Sequence, residues 1–121
     1  MIRIGLVIFV ALVISGTSAF AQNKSGSLLL QKNFDDLPGR EGVMLTVEYP
    51  PGASSPKHRH NAHTFVYILE GTLIMQVEGG ERMTLKPGDT FYETPEDIHT
   101  VSMNASKTEP AKALVFFVKR Q

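Results

Sequence analysis

The stretch HRHNAHTFVYILEG, residues 58–71, holds three of the four histidines of the chain and then becomes an apolar run that ends in glycine. Side chains of an extended chain alternate between two faces, so residues of equal parity share a face. If the chain is already extended here, His58 and His60 point to one side and His63 to the other. Two imidazoles at this spacing can bind one metal ion. The stretch therefore predicts a metal-binding pair ahead of a strand, with a plain polar loop as the alternative.

The apolar run after these histidines carries large side chains at both parities. Val66 and Ile68 continue the face of His58 and His60, and the opposite face carries Phe65, Tyr67 and Leu69. A strand that is apolar on both faces is normally covered on both. The sequence thus predicts that this strand lies in a closed barrel or in a homodimer.

The rest of the chain alternates short β-rich runs with turn residues. The runs cover residues 43–49, 64–69, 72–78, 81–85, 90–93, 99–103 and 113–118. Turn signals such as Pro50-Pro51-Gly52 and Gly79-Gly80 separate them, and no sustained helical period is present. Many short strands at this spacing predict a single all-β domain, an antiparallel sandwich or barrel.

The first 21 residues have the pattern of a cleaved secretory signal. Arg3 gives a positive start, residues 4–14 are almost unbroken apolar sequence, and Ala19 and Ala21 form a small-residue cleavage site. The apolar run is shorter than the roughly 20 residues that a spanning helix needs. We therefore expect cleavage after Ala21, export to the periplasm or beyond, and no stable membrane association afterwards. A lead-in segment over 22–41, with a loose start, would then precede a barrel domain over 42–118.

The composition of the remaining chain limits the classes of partner and of metal ligand that are expected. Cleavage removes Arg3 alone among the charged residues, so 11 of the 12 basic residues remain against 12 acidic ones. A near-neutral chain without a basic run gives no sign of nucleic-acid binding. The chain has no cysteine, so the exported domain forms no disulfides and any metal must bind nitrogen or oxygen.

Two spaced motifs resemble those of the cupin superfamily. The first motif of that family is G-x5-H-x-H-x3-4-E-x6-G, and this sequence has Gly52, His58, His60, Thr64 and Gly71 at the corresponding places. The departure is Thr64, where the family usually has glutamate. Threonine is not a credible replacement for that ligand to a divalent ion.

The second cupin motif, G-x5-P-x-G-x2-H-x3-N, is matched with shifted spacings. Gly88, Pro95, His99 and Asn104 stand in the family's order, with one extra residue before Pro95, one fewer before His99 and one more before Asn104. The resemblance runs from about residue 42 to residue 118. It implies a small jelly-roll barrel, a double-stranded β-helix, with a metal held by histidines inside its mouth.

The resemblance implies His58, His60 and His99 as metal ligands. Three interpretations of the missing glutamate stay open. The first is a three-histidine site, which we favour. In the second, His63 or Glu93 supplies a fourth ligand, although parity argues against His63 and Glu93 also reads as a strand residue that faces solvent or caps the following turn. In the third, the barrel has lost its metal and binds only a ligand.

The expected cofactor is a divalent metal ion. Three neutral imidazoles leave coordination positions open for water, oxygen or a chelating substrate. Nitrogen donors suit iron(II), copper, nickel or zinc better than calcium or magnesium. The family resemblance favours iron(II) or manganese, with zinc, nickel and copper as alternatives.

The function that follows from these features is a hypothesis with three forms. The first is a metal-dependent dioxygenase that acts on a small enolate, diketone or phenolic substrate. The alternatives are a non-catalytic barrel that binds a small ligand and a metal-dependent isomerase of a sugar-like substrate. The residues expected to line the substrate pocket are Thr64, Val66, Ile68, Gln76 and Phe91, with Gln76 equally expected to be exposed.

Overall fold

The computed structural model describes residues 24–121, which form eight β-strands. The strands are β1 (Ser25–Asn33), β2 (Arg40–Tyr49), β3 (His63–Glu70), β4 (Leu73–Val77), β5 (Met83–Leu85), β6 (Thr90–Glu93), β7 (His99–Asn104) and β8 (Ala111–Arg120). Residues 24–121 contain no helix with the length and apolarity that crossing a bilayer requires. The signal peptide predicted over residues 1–21 lies outside the described residues.

The strands form two antiparallel sheets. The larger sheet has the order β1-β2-β8-β3-β6, and the smaller one has the order β5-β4-β7. Sequence neighbours such as β3 and β4 lie in different sheets, so the chain passes from one sheet to the other as in a jelly roll. The prediction of one all-β antiparallel domain with a jelly-roll fold is confirmed.

The hydrophobic core lies between the two sheets. Ile68 and Ala113 from the larger sheet are fully buried, as are Leu73 and Met75 from the smaller one, and they belong to one cluster. Each large apolar side chain that is fully buried in this way contributes about 1.5–3 kcal/mol to folding. This shared core holds the two sheets face to face and fixes the position of the strands that carry the histidines.

Strand β3 shows the predicted alternation of its side chains. Thr64, Val66 and Ile68 are buried between the sheets, whereas Phe65 and Tyr67 are exposed on the outer face of the larger sheet. Register with β6 places Thr64 opposite Glu93. The parity argument therefore predicts correctly which side chains of β3 point inward.

The outer face of the larger sheet carries a row of apolar side chains across all five strands. Cross-strand register aligns Leu30, Met44, Phe116, Phe65 and Tyr92, which we call the outer apolar row. The Phe65 ring lies 5.1 Å from the Tyr92 ring and 6.2 Å from the Phe116 ring between centroids. Phe65 is nevertheless 48% exposed and Tyr92 46% exposed. Within one chain, the second apolar face of β3 is therefore not covered.

The segment expected to precede the barrel contributes to the larger sheet. Residues 25–33 form β1, which pairs with β2 along its length apart from a shift between Leu28 and Leu30. The start of the 22–41 segment, which was expected to be loose, is therefore strand from Ser25 onward. β1 pairs on one side only and its residues are exposed, so it has none of the buried alternation that identified the other strands.

Gly71, between β3 and β4, is predicted to resist substitution. Its φ is +72°, and a Cβ there would lie 2.5 Å from the Pro110 carbonyl oxygen and 2.8 Å from Ala111. Gly71→Ala should lower the free energy of unfolding by about 2 kcal/mol or more, because strain and a backbone clash add. Gly79→Ala is the matched control, with φ +80° and open space around the new Cβ, and should cost about 1 kcal/mol. Urea denaturation measures both losses; equal losses would contradict the clash.

Candidate metal centre

Backbone pairing brings the first histidine motif against the second. His58 and His99 form an isolated antiparallel bridge, in which the His99 N–H donates to the His58 carbonyl at 2.8 Å. The His58 N–H donates in return to the His99 carbonyl at 3.2 Å. Two residues 41 positions apart in the sequence are thus tied together by the main chain, so their rings are placed by the fold.

The three predicted ligand histidines converge. His58, His60 and His99 each offer a ring nitrogen, and these three nitrogens lie within 4.8 Å of one another. His58 Nε2 lies 3.0 Å from His60 Nε2, as expected for residues two apart on one face. The rings of His58 and His99 are 5.0 Å apart between centroids. This group of residues could hold a metal ion.

The local environment keeps two of these imidazoles neutral. The Pro56 carbonyl oxygen lies 2.8 Å from His58 Nδ1, and since a carbonyl only accepts, Nδ1 carries the proton. The lone pair of His58 therefore sits on Nε2, beside His60. Burial lowers the pKa of His58 and lowers the pKa of His60 to about 4, against an opposing effect of Glu93. At neutral pH both rings have a lone pair available for a cation.

Glu93 joins the histidines from β6. It is only 2% exposed, and its Oε1 lies 2.5 Å from His99 Nδ1, while its Oε2 lies 3.8 Å from His60 Nε2. The short approach to His99 does not have hydrogen-bond geometry, so Glu93 Oε1 and both ring nitrogens of His99 are buried without a hydrogen-bond partner. Buried polar atoms without partners are costly, and binding of a cation by these side chains would offset that cost.

The position of Glu93 accounts for the threonine in the first motif. Thr64 is buried and stands opposite Glu93 in the β3–β6 register. The Thr64 hydroxyl donates to the Ala62 carbonyl at 3.4 Å, a long and weak bond. A carboxylate is thus present in the site, but it projects from the neighbouring strand. The interpretation of Glu93 as a solvent-facing residue was wrong, because odd-numbered residues of β6 point inward.

The donor set fits a divalent metal ion. Three imidazoles and one buried carboxylate supply nitrogen and oxygen donors, and the Pro56 carbonyl orients one of the rings. Carbonyl-oriented histidines beside a carboxylate are the usual surroundings of such an ion.

Comparison with known families agrees with this geometry. A sequence profile described as a cupin domain matches residues 45–117, which is more than half of the chain. The chain belongs to the cupin superfamily.

Three relatives show the range of this similarity. The Oryzines biosynthesis cluster protein J of Aspergillus oryzae is 36% identical over 64% of this chain and 42% of its own length. The cupin-domain-containing oxidoreductase fogC of Aspergillus ruber is 25% identical over 60% of this chain and 36% of its own length. The crystal structure of the DMSP lyase DddQ from Ruegeria pomeroyi is 28% identical, with a TM-score of 0.57, over 66% of this chain and 38% of that chain. This cupin therefore spans about four-tenths of the length of the curated relatives.

A small cavity opens beside the histidines of this cupin. Its volume is about 40 Å³, enough for a few water-sized groups. Its walls are formed by Lys24, Val47, Tyr49, His60, Thr64, Val66, Met75, Glu93, His99, Val115 and Phe117. A ligand can therefore place only a small head group beside the histidines.

Only some of the predicted pocket residues line this cavity. Thr64 and Val66 line it, whereas Ile68 is fully buried in the core behind it. Phe91 packs against the His99 ring, with centroids 5.7 Å apart, and supports that ring without lining the cavity. The inward orientation considered for Gln76 was wrong: its amide donates to the Gly80 carbonyl at 3.0 Å, because odd-numbered residues of β4 face the core.

His63 lies outside the cluster. It is exposed, and its Nδ1 shares a 2.7 Å hydrogen bond with the Tyr92 hydroxyl on the outer face of the larger sheet. The interpretation of His63 as a fourth ligand was therefore wrong, as parity had indicated. A shallow groove of about 570 Å³ lies on the same outer face, and it is lined by Phe65, Val66, Tyr67, Thr90, Phe91, Tyr92, Leu114 and Phe116. No histidine or carboxylate lines that groove, whereas His60, His99 and Glu93 line the smaller inner cavity.

Two site residues were missed from the sequence. Tyr49 is buried at the cavity, where its hydroxyl shares a 2.7 Å hydrogen bond with Ser102 Oγ. Tyr49 shares its odd parity on β2 with the buried Val47, and this pattern could have predicted that Tyr49 points inward. Lys24 reaches the cavity from just before β1, and nothing in its polar surroundings in the sequence indicates this.

Proposed function

We propose that this cupin binds one divalent metal ion through His58, His60 and His99 and uses it to oxidise a small chelating substrate with molecular oxygen. The observation that carries the proposal is the convergence of three ring nitrogens within 4.8 Å of one another. Glu93, buried beside them, completes the site in the place left by Thr64.

The chemistry divides between the metal and the chain. A bound divalent ion supplies open positions that polarise an enolate, diketone or phenolate oxygen and, as iron(II), access to oxygen. The residues of the chain hold the neutral imidazoles in place and surround the open side with apolar walls. Val66, Val115 and Phe117 form part of these walls and keep bulk water away from the reacting group.

The donor set supports iron(II) or manganese as the ion. A buried carboxylate oxygen beside three nitrogens adds a hard ligand to the set, which suits these ions better than copper(I). Zinc, nickel and copper(II) also bind imidazole and remain alternatives in the proposal.

The relatives support an oxidative reaction and also a second candidate. One curated relative is named an oxidoreductase, and one solved relative is named a lyase. The second candidate is therefore a metal-dependent reaction without oxygen, such as elimination. Since this chain spans about four-tenths of each relative, neither activity is transferred from them directly.

Oxygen uptake tests the proposed reaction. Iron(II)-loaded protein is mixed with a panel of small diketones, enols, phenols and 2-oxo or 2-hydroxy acids, and oxygen consumption is recorded with an electrode. Uptake that depends on substrate and is retained in His63→Ala but lost in His99→Ala supports the proposal. Product formation without oxygen uptake favours the lyase or an isomerase of sugar-like substrates. Metal binding without any turnover across the panel contradicts the enzyme and leaves a ligand-binding barrel.

Export is a separate part of the proposal. The leader pattern over residues 1–21 supports secretion with cleavage after Ala21. Mass spectrometry of the protein recovered outside the cytoplasm would then give an N-terminus at Gln22. Recovery of the full-length chain in the cytoplasm alone would contradict it.

We propose that the outer apolar row forms the interface of a homodimer. The row contains no charged residue, so a charged partner would find no ion pair there. A second copy of the chain presents a matching apolar surface. Sedimentation of the wild type should give a dimer, and Phe65→Asp should shift it to a monomer of equal metal content. A monomeric wild type would contradict this assembly.

A further inference from the structure

Lys24, just before β1, forms part of the wall of the cavity beside the histidines. Lys24 lines the cavity together with His60, Glu93 and His99. Its Nζ lies 5.8 Å from the centroid of the Tyr49 ring, within range of a cation–π contact. The side chain therefore brings a positive charge to the cavity that holds the histidines, although it belongs to neither cupin motif.

The charge of Lys24 has no ionic partner among residues 24–121. No carboxylate of that part of the chain lies within 4.0 Å of its Nζ, although five other lysine or histidine side chains do form such pairs with Glu41, Glu48, Glu78 and Glu93. Lys24 is half-buried, and burial lowers its pKa while Glu93 acts in the opposite direction. A partly desolvated amine without a counter-ion gains most from an incoming anion.

The charges at the site favour a negative ligand. A divalent ion and the Lys24 amine would together outweigh the one carboxylate that lines the cavity, that of Glu93. The space is also restricted, since a cavity of about 40 Å³ takes only a small head group. A carboxylate fits this space better than a bulky aromatic ring.

We propose that Lys24 is a specificity-determining residue that binds a carboxylate of the substrate, so that the substrate is a small acid with a second oxygen placed to chelate the metal. A 2-oxo or 2-hydroxy carboxylate has this chemistry. The inference rests on the proposed metal site and names the class of substrate that the site takes.

Cobalt(II) gives a visible reporter for the test. The full protein and its Lys24→Met and Lys24→Arg variants are loaded with cobalt(II), and the absorption bands of the ion are followed during titration with oxalate. Acetylacetone, a chelator without a carboxylate, is the comparison probe. Lys24→Met should weaken oxalate about ten- to hundredfold and change acetylacetone by no more than about twofold, because one charge-assisted hydrogen bond is lost. Lys24→Arg should retain most of the oxalate affinity.

The outcomes separate the inference from the proposed function. If the wild type does not bind cobalt(II), the proposed function and the inference both fall. If cobalt(II) binds equally to all three proteins and oxalate affinity is unchanged in Lys24→Met, the inference alone falls. An equal loss for oxalate and acetylacetone would also overturn it, because Lys24 would then only support the structure of the cavity.

Discussion

Replacing His99 by alanine is expected to weaken the binding of a divalent ion by about a hundredfold or more. His99 is the one member of the histidine cluster that belongs to the second motif, and its main chain forms a β-bridge with His58. Without its nitrogen, two ligands from one short segment remain with the Glu93 carboxylate. Isothermal titration of the metal-free proteins with zinc or cobalt(II) measures the change.

His63→Ala is the matched control for this prediction. His63 belongs to the same stretch as His58 and His60, but it lies on the outer face, where it bonds the Tyr92 hydroxyl. Its replacement should leave metal affinity within about twofold of the wild type, because it touches no member of the cluster. Equal losses in His63→Ala and His99→Ala would show that the ion binds elsewhere.

Replacing Glu93 by glutamine is expected to lower metal affinity by about ten- to hundredfold. The carboxylate lies beside His99 Nδ1 and near His60 Nε2, and it is buried with an unpartnered oxygen. Glutamine keeps the shape of the side chain but removes the negative charge that stabilises a cation at this point. The same calorimetric titration measures the loss.

Glu41→Gln separates this effect from the general loss of a buried charge. Glu41 is also only 5% exposed, accepts a hydrogen bond from Gln31 at 2.6 Å, and pairs with Lys119 at 2.9 Å, away from the cluster. Its replacement should lower stability while metal affinity stays unchanged. If Glu93→Gln bound metal as tightly as the wild type, the carboxylate would have no role in the site.

Much of the site could be predicted from the sequence because strand parity is a strong constraint. The inward direction of Thr64 and Val66, and the outward direction of His63, follow from the alternation along β3 alone. The pairing of the two motifs around His58 and His99 followed from the family resemblance, and the structure places these residues in one bridge.

The parts that were missed or left open depend on register between strands, which local patterns do not specify. Glu93 faces inward because β6 pairs with β3 so that Glu93 stands opposite Thr64. Gln76 faces away because the odd positions of β4 pack into the core, a choice of face that an alternating strand leaves open. Strand β1 was missed since an exposed edge strand shows no buried alternation.

The position of Lys24 is even harder to predict from local sequence patterns. It stands in a polar segment, and only the pairing of β1 with β2 carries it to the cavity, above the Tyr49 ring. No residue type or spacing near it signals a role. Its contribution depends on tertiary placement alone.

The most direct test of the metal centre compares the metal content of the purified wild type with that of the double variant His58→Ala, His60→Ala. Both proteins are loaded with iron(II) or manganese, and the metal is measured by elemental analysis. The converging imidazoles predict about one ion per wild-type chain and only a trace in the double variant, in which two of three nitrogen ligands are gone. Equal metal content in the two proteins would contradict the site.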